Sequence, residues 1–265
     1  MRVALDGVEL AVRRLGDGSG TPLIWGHGLS SSMEGEDELP TIRWDEAAPG
    51  RVVVRYDARS HGESGASAAA EPHAWEALAG DQLALADALG IDRYVGAGAS
   101  MGCATALFAA LAAPDRITAL VLVIPPTAWE TRADQTALYG AMAGVMERGE
   151  VETLVGGLDA APVPDPFAEV TDWRDRAERR LRSADLGRLA WVFRGAGLSD
   201  LPAPERLATI DVPAVILAWT GDPGHPVSTA EALHELLPDT RLHLAGTSDE
   251  LARWSGIVAE FLDGR

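Results

Sequence analysis

The chain contains no lysine; all 22 basic residues among its 265 are arginine. Schiff-base chemistry and P-loop phosphate binding both need a lysine and are thereby excluded. Cysteine is nearly absent too. Cys103 has no partner in the chain, so an internal disulfide is impossible, a reducing compartment is permitted, and a cytoplasmic location is expected. Positive charge is scarce: 40 acidic side chains give a net charge of −18. Nucleic acid is therefore not an expected partner, because phosphate binding needs clustered Arg and Lys. Long apolar runs are missing. The N-terminal MRVALDGVEL lacks a signal-peptide core, and the stretch 104–113 is too short to span a bilayer, so no membrane association is expected. Neither a metal-ligand cluster nor a nucleotide fingerprint occurs, so no cofactor is expected. The last shortage is histidine, with none beyond position 243.

What is present is a regular alternation of patterns. Residues 2–5 and 9–15 alternate around Asp6-Gly7 and predict an opening hairpin. Strands are then predicted at 21–25, 51–56, 93–97, 117–124, 213–219 and 240–245. Most of the later ones are near-continuous apolar runs suited to a parallel sheet buried on both faces. Helical segments are expected at 73–89, 101–113, 228–237 and 250–262. This alternation predicts an α/β fold with a mostly parallel eight-stranded sheet and helices on both faces. Between about 127 and 200 the alternation stops. Helical pieces at 133–148, 150–158, 173–183 and 186–194 are broken by Pro162, Pro164 and Pro166, and no strand is predicted. The expected division is a core of residues 1–126 and 201–265 with a helical insertion of residues 127–200.

One local pattern carries chemistry. Gly98-Ala99-Ser100-Met101-Gly102 follows a predicted strand and opens an Ala- and Leu-rich helix ended by Pro114. A sharp strand–serine–helix turn exposes the hydroxyl, and its flanking glycines allow close backbone approach. Ser100 is thus the candidate nucleophile, and Cys103 on the following turn is expected to be a buried packing residue. Two further loops agree: His27-Gly28-Leu29 after the strand 21–25, and Asp57-Ala58-Arg59-Ser60-His61-Gly62-Glu63-Ser64 after the strand 51–56.

With these three motifs the chain resembles the α/β-hydrolase superfamily, most closely its small capped esterase, enol-lactonase and haloperoxidase-like members. The resemblance covers nearly the whole chain. It departs at Ser60, where a glycine is usual, and this is an expected source of strain in that loop. It implies a helical cap inserted after strand 6, over residues 127–200. In such folds a cap controls access to the nucleophile. Trp129, Tyr139, Met142, Met146, Trp173 and Trp191 are candidates either to line its roof or simply to pack it. The resemblance also implies a substrate- and oxyanion-binding loop around His27, Gly28 and Leu29, with the backbone amides of Leu29 and Met101 as oxyanion donors.

In this fold the partners follow in the order serine, acid, histidine. The loop Thr220-Gly221-Asp222-Pro223-Gly224-His225-Pro226 resembles the family's acid loop and makes Asp222 the expected acid. The base should come from the loop after the last strand, Ala245-Gly246-Thr247-Ser248-Asp249-Glu250, which has no histidine. Thr247 takes the vacated position, and neither threonine nor serine accepts a proton near neutral pH. His225, Asp249 and Glu250 are possible substitutes, Asp249 and Glu250 being expected chiefly to cap the final helix. Two functions follow as expectations. One is a serine hydrolase of a small apolar ester, lactone or thioester with an impaired or unconventional base. The other is a non-catalytic ligand-binding protein that keeps the pocket. A lyase or isomerase step using the oxyanion loop is a third. The expected partner in each case is a small molecule, with the oligomeric state open.

Overall fold

The computed structural model describes residues 1–38 and 41–265. A single eight-stranded sheet has the spatial order β1-β2-β4-β3-β5-β6-β7-β8. The strands are β1 (Arg2–Leu5), β2 (Val8–Leu15), β3 (Gly20–Gly26), β4 (Arg51–Tyr56), β5 (Tyr94–Ala99), β6 (Ile117–Val123), β7 (Ala214–Trp219) and β8 (Thr240–Ala245). β1 pairs antiparallel with β2, and β2 antiparallel with β4. Every pairing from β4 to β8 is parallel.

The apolar strand runs explain this arrangement. β4, β5 and β7 are buried at every position. Alternate side chains point to opposite faces of the pleat, so Val52 and Val54 join one core layer while Val53 joins the other. The first layer is closed by α3 (Trp75–Ala88) and α4 (Met101–Ala112), through Leu85, Leu107 and Trp75. The second is closed by α2 (Trp44–Ala47) and α12 (Trp254–Leu262), through Trp254 and Phe261. The short α1 (Met33–Glu38) follows β3.

Between β6 and β7 lie α5 (Arg132–Glu147), α6 (Val151–Ala160), α7 (Trp173–Ser183), α8 (Leu186–Gly197) and the short α9 (Pro204–Leu207). The inserted helices have an apolar cluster of their own, with Tyr139, Ala143, Met146, Leu189 and Phe193 packed together and Leu29 of the core against them. The aromatic candidates for a roof are mostly occupied in packing. Tyr139 meets Phe193 edge-on at 5.5 Å, Trp173 stacks on Phe167 at 4.2 Å, and Trp129 donates its indole N–H to the Pro202 carbonyl.

After β7 come α10 (Val227–Leu236) and, beyond β8, α11 (Ser248–Ala252). The single helix expected over 250–262 is two helices, α11 and α12, and Thr247 is the reason for the earlier start. Its hydroxyl accepts the Glu250 amide, while the Glu250 carboxylate accepts the Thr247 amide. That reciprocal capping box starts a helix. Among the described residues no helix is long and apolar enough to cross a membrane.

Candidate active site

The parallel strands bring the C-terminal ends of β3, β5, β6 and β7 to one edge of the sheet, and the candidate residues collect there. Ser100 follows β5 directly and opens α4 with φ +52° and ψ −109°. This backbone conformation is sparsely populated for a residue with a side chain. Two glycines let the chain turn so sharply. A Cβ on Gly98 would lie 2.4 Å from the Gly102 carbonyl carbon, and one on Gly102 would lie 2.0 Å from the Gly26 oxygen. Helix α4 is therefore seated directly on the end of β3. The Ser100 amide is held by the Val123 carbonyl at 2.9 Å. Cys103 is fully buried and donates its thiol to the carbonyls of Gly98 and Val123. Burial raises that thiol well above its ordinary range.

An imidazole lies beside the Ser100 hydroxyl, and it comes from the acid loop rather than from the loop after β8. His225 Nε2 lies 2.8 Å from Ser100 Oγ, and His225 Nδ1 lies 2.7 Å from Asp222 Oδ2. The expectation of an incomplete triad with a vacated position at Thr247 is corrected by this geometry. Thr247 is committed to capping α11, and of the three substitutes His225 is the one that stands beside Ser100. Glu250 in particular accepts the Gly246 amide at 2.8 Å.

The physical reason is a tight turn. The His225 amide donates to the Asp222 carbonyl at 3.1 Å, and the turn brings the two side chains together although only Pro223 and Gly224 separate them. Gly224 also donates its amide to Asp222 Oδ1 at 2.9 Å, and Trp219 donates its indole N–H to Asp222 Oδ2 at 2.9 Å. Burial by itself would raise the Asp222 carboxyl. The hydrogen bond and charge of His225, with the Trp219 and Gly224 donors, outweigh it and hold the group at about 2. The signal in the sequence was that His225 is the one histidine on the acid loop. The missing information was the turn.

Leu29 follows the end of β3 and Met101 follows Ser100. Neither backbone amide donates a hydrogen bond among the described residues, so both remain open to a ligand oxygen. Gly28 lies against the serine, within 3.6 Å of Ser100 Cβ as measured from where its own Cβ would be. The His27 ring is held by backbone groups at both nitrogens. Its Nε2 accepts the Ala58 amide at 3.0 Å, so Nδ1 carries the proton and donates to the Gly28 carbonyl at 2.8 Å. With both nitrogens engaged, His27 ties the loop after β3 to the loop after β4.

Ser60 adopts φ +62°, the left-handed conformation that a glycine would take without strain. The hydroxyl compensates inside the loop. Ser60 Oγ accepts the Ser67 amide at 3.1 Å and bonds His73 Nε2 at 2.8 Å. A cavity of about 680 Å³ adjoins this loop and is lined by Ser30–Ser32, His61, Arg180 and Arg188. A second, of about 590 Å³, is lined by Trp25, Trp44 and Arg55 on the other side of α1. Ser100 is 6% exposed and lines neither of them.

A serine hydroxyl bonded to an imidazole whose far nitrogen is held by a half-buried carboxylate is the arrangement that lets the ring remove the hydroxyl proton. On this sheet, with two unengaged amides beside the serine, it defines an α/β-hydrolase. Residues 16–255 match the Alpha/beta hydrolase family, and the chain belongs to that family. It is similar to a Bacillus subtilis (strain 168) protein provisionally named a 2-succinyl-6-hydroxy-2,4-cyclohexadiene-1-carboxylate synthase, with 27% identity across 97% of this chain and 96% of that protein. It is also similar to 3-oxoadipate enol-lactonase 1 of Acinetobacter baylyi, with 26% identity across 69% of this chain and 66% of the relative. Among solved structures, the enol-lactonase of Burkholderia xenovorans LB400 superposes with a TM-score of 0.81 at 21% identity, covering 99% of both chains. A hydrolase of Pseudomonas aeruginosa PA01 superposes at 0.79 with 26% identity, covering 99% of this chain and 97% of the other.

Proposed function

We propose that the protein is a serine hydrolase acting on a small ester, lactone or thioester with an apolar acyl part. The observation that carries this reading is the continuous hydrogen-bonded line Asp222–His225–Ser100, at 2.7 and 2.8 Å. Ser100 Oγ attacks the carbonyl carbon as His225 Nε2 takes its proton. The Asp222 carboxylate keeps the ring in the tautomer with Nδ1–H and stabilises the imidazolium that forms. The amides of Leu29 and Met101 receive the negative charge developing on the carbonyl oxygen. Collapse of the tetrahedral adduct breaks the bond to the leaving alkoxide or thiolate, which takes the proton from Nε2. Water, deprotonated by the same ring, then releases the acyl group and restores Ser100.

An apolar acyl group is supported by the packing of Leu29, on the loop after β3, against the apolar cluster of Tyr139, Met146 and Phe193. Purified protein assayed on short p-nitrophenyl esters should lose nearly all activity on Ser100→Ala. Equal rates for the two proteins would remove the proposal.

A second reading is a lyase or isomerase step in which His225 moves a proton and the oxyanion loop holds an enolate. It is favoured by the provisional name of the full-length Bacillus subtilis relative, a synthase. An acyl-enzyme trapped on Ser100 with a slow p-nitrophenyl ester supports hydrolysis against it. The reading as a non-catalytic binding protein rested on the absent base and loses its motive with His225 in place.

A further inference from the structure

In this chain the acid and the base share one loop, Thr220–Pro226, so whatever fixes that loop fixes both groups at once. The loop is held by the helical insertion. Asp165, at the start of a short 3-10 turn (Asp165–Phe167) between α6 and α7, donates its amide to the Thr220 carbonyl at 3.0 Å. Its Oδ2 accepts the Thr220 hydroxyl at 2.6 Å. Its carboxylate also fills the space above Gly221, where a Cβ would come 2.4 Å from Asp165 Oδ1 and where φ is +79°. Glycine is thus required at 221 by conformation and by this contact together.

Two residues on, Phe167 is buried and meets the Trp219 ring edge-on at 5.2 Å. Trp219 in turn donates to Asp222 Oδ2, the same oxygen that holds His225 Nδ1. From the other end of the insertion, the Thr127 amide donates to the Gly224 carbonyl at 3.2 Å. The inserted segment therefore grips the loop on both sides of the acid.

We propose that Asp165 is a positioning residue that sets the approach of His225 to Ser100, so that docking of the helical insertion on the core completes the triad. The proposal rests on the hydrolase reading above. When Asp165 lets go of Thr220 and Gly221, the loop gains freedom and the His225 ring loses its fixed distance to the hydroxyl. Misplacement of a reacting group by about 1 Å can cost on the order of 10²-fold in rate.

The test compares wild type with Asp165→Ala, Asp165→Asn and Thr220→Val. Asp165→Ala should lower kcat for a p-nitrophenyl ester by about 10- to 100-fold while KM stays within about 3-fold. Asp165→Asn keeps an acceptor for the Thr220 hydroxyl and should retain most of the rate. Thr220→Val should reproduce the alanine variant, and the double variant Asp165→Ala/Thr220→Val should be no slower than either single one.

A readout independent of turnover is the downfield proton resonance of the His225–Asp222 hydrogen bond. It should broaden or shift in Asp165→Ala and persist in Asp165→Asn, both proteins being checked as folded by urea unfolding. If the resonance and kcat are unchanged in a folded Asp165→Ala protein, the positioning role is wrong. If Ser100→Ala is as active as wild type, the hydrolase reading fails instead, and the resonance alone then decides whether Asp165 holds the loop.

Discussion

Replacing His225 by alanine tests the point on which the site turns. The ring makes two side-chain hydrogen bonds, to Ser100 and Asp222, and each is worth about 1 kcal/mol to folding. After its removal Asp222 still accepts from Trp219 and Gly224, so the carboxylate is not stranded. The folding cost should be about 1–3 kcal/mol, which a domain with roughly 5–15 kcal/mol of stability survives. The catalytic cost is far larger. Removing the histidine of a serine triad lowers turnover by about 10⁶, near 8 kcal/mol of transition-state stabilisation. The oxyanion donors and binding would leave a residual of about 10³–10⁴ over water. The assay is steady-state hydrolysis of a p-nitrophenyl ester, with urea unfolding as the control for structure. The double variant Ser100→Ala/His225→Ala should be no worse than either single variant, because the two groups act as one unit. Glu250→Gln should leave the rate within a few-fold of wild type. If His225→Ala keeps more than a tenth of kcat/KM while Ser100→Ala loses it, the base lies elsewhere and the reasoning fails.

Thr247→His restores a histidine at the usual place in the sequence, yet it should give no gain in esterase rate. It should also destabilise the fold by about 1 kcal/mol in urea unfolding, because the N-cap of α11 is lost. Ser60→Gly relieves a left-handed strain of about 1–3 kcal/mol. It also removes the hydroxyl bonded to His73 and Ser67 and leaves the buried His73 Nε2 unpaired, a cost of about 1–3 kcal/mol beyond the lost bonds; we expect net destabilisation in urea unfolding, and a clear gain in stability would contradict it. His61 and Asp222 are two of the groups that shape the acid response of stability, read from urea unfolding at stepped pH. Burial holds His61 neutral well below the ordinary 6.5. The unfolded chain thus binds that proton first, and stability falls as pH drops below 6.5, at up to about 1.4 kcal/mol per pH step for one proton. The carboxyl of Asp222 is at about 2 against an ordinary 3.8. Its contribution of about 2 kcal/mol is complete above pH 4 and disappears as pH falls toward 2. A flat profile from pH 7 to 5, or a profile between pH 4 and 2 unchanged in Asp222→Asn, would contradict these assignments.

The sequence by itself determined the sheet and the elbow. Apolar runs such as Val52–Val54 and Ala119–Val123 leave no solvent face and call for a buried parallel strand. Gly98 and Gly102 around Ser100 are local requirements of a backbone that touches its neighbours. Such features are written in consecutive residues, so a linear reading reaches them. The imidazole beside Ser100 was different, because the slot after β8 is filled by a helix cap at Thr247. Only the turn from Asp222 to His225, closed by one backbone hydrogen bond, swings the ring 125 residues along the chain from Ser100 onto its hydroxyl. The bond of His27 to the Ala58 amide was likewise out of reach of a linear reading, since that amide comes from a different strand's end. Distance between side chains on separate loops is fixed by packing of the whole sheet edge and the inserted helices, and no spacing in the chain encodes it.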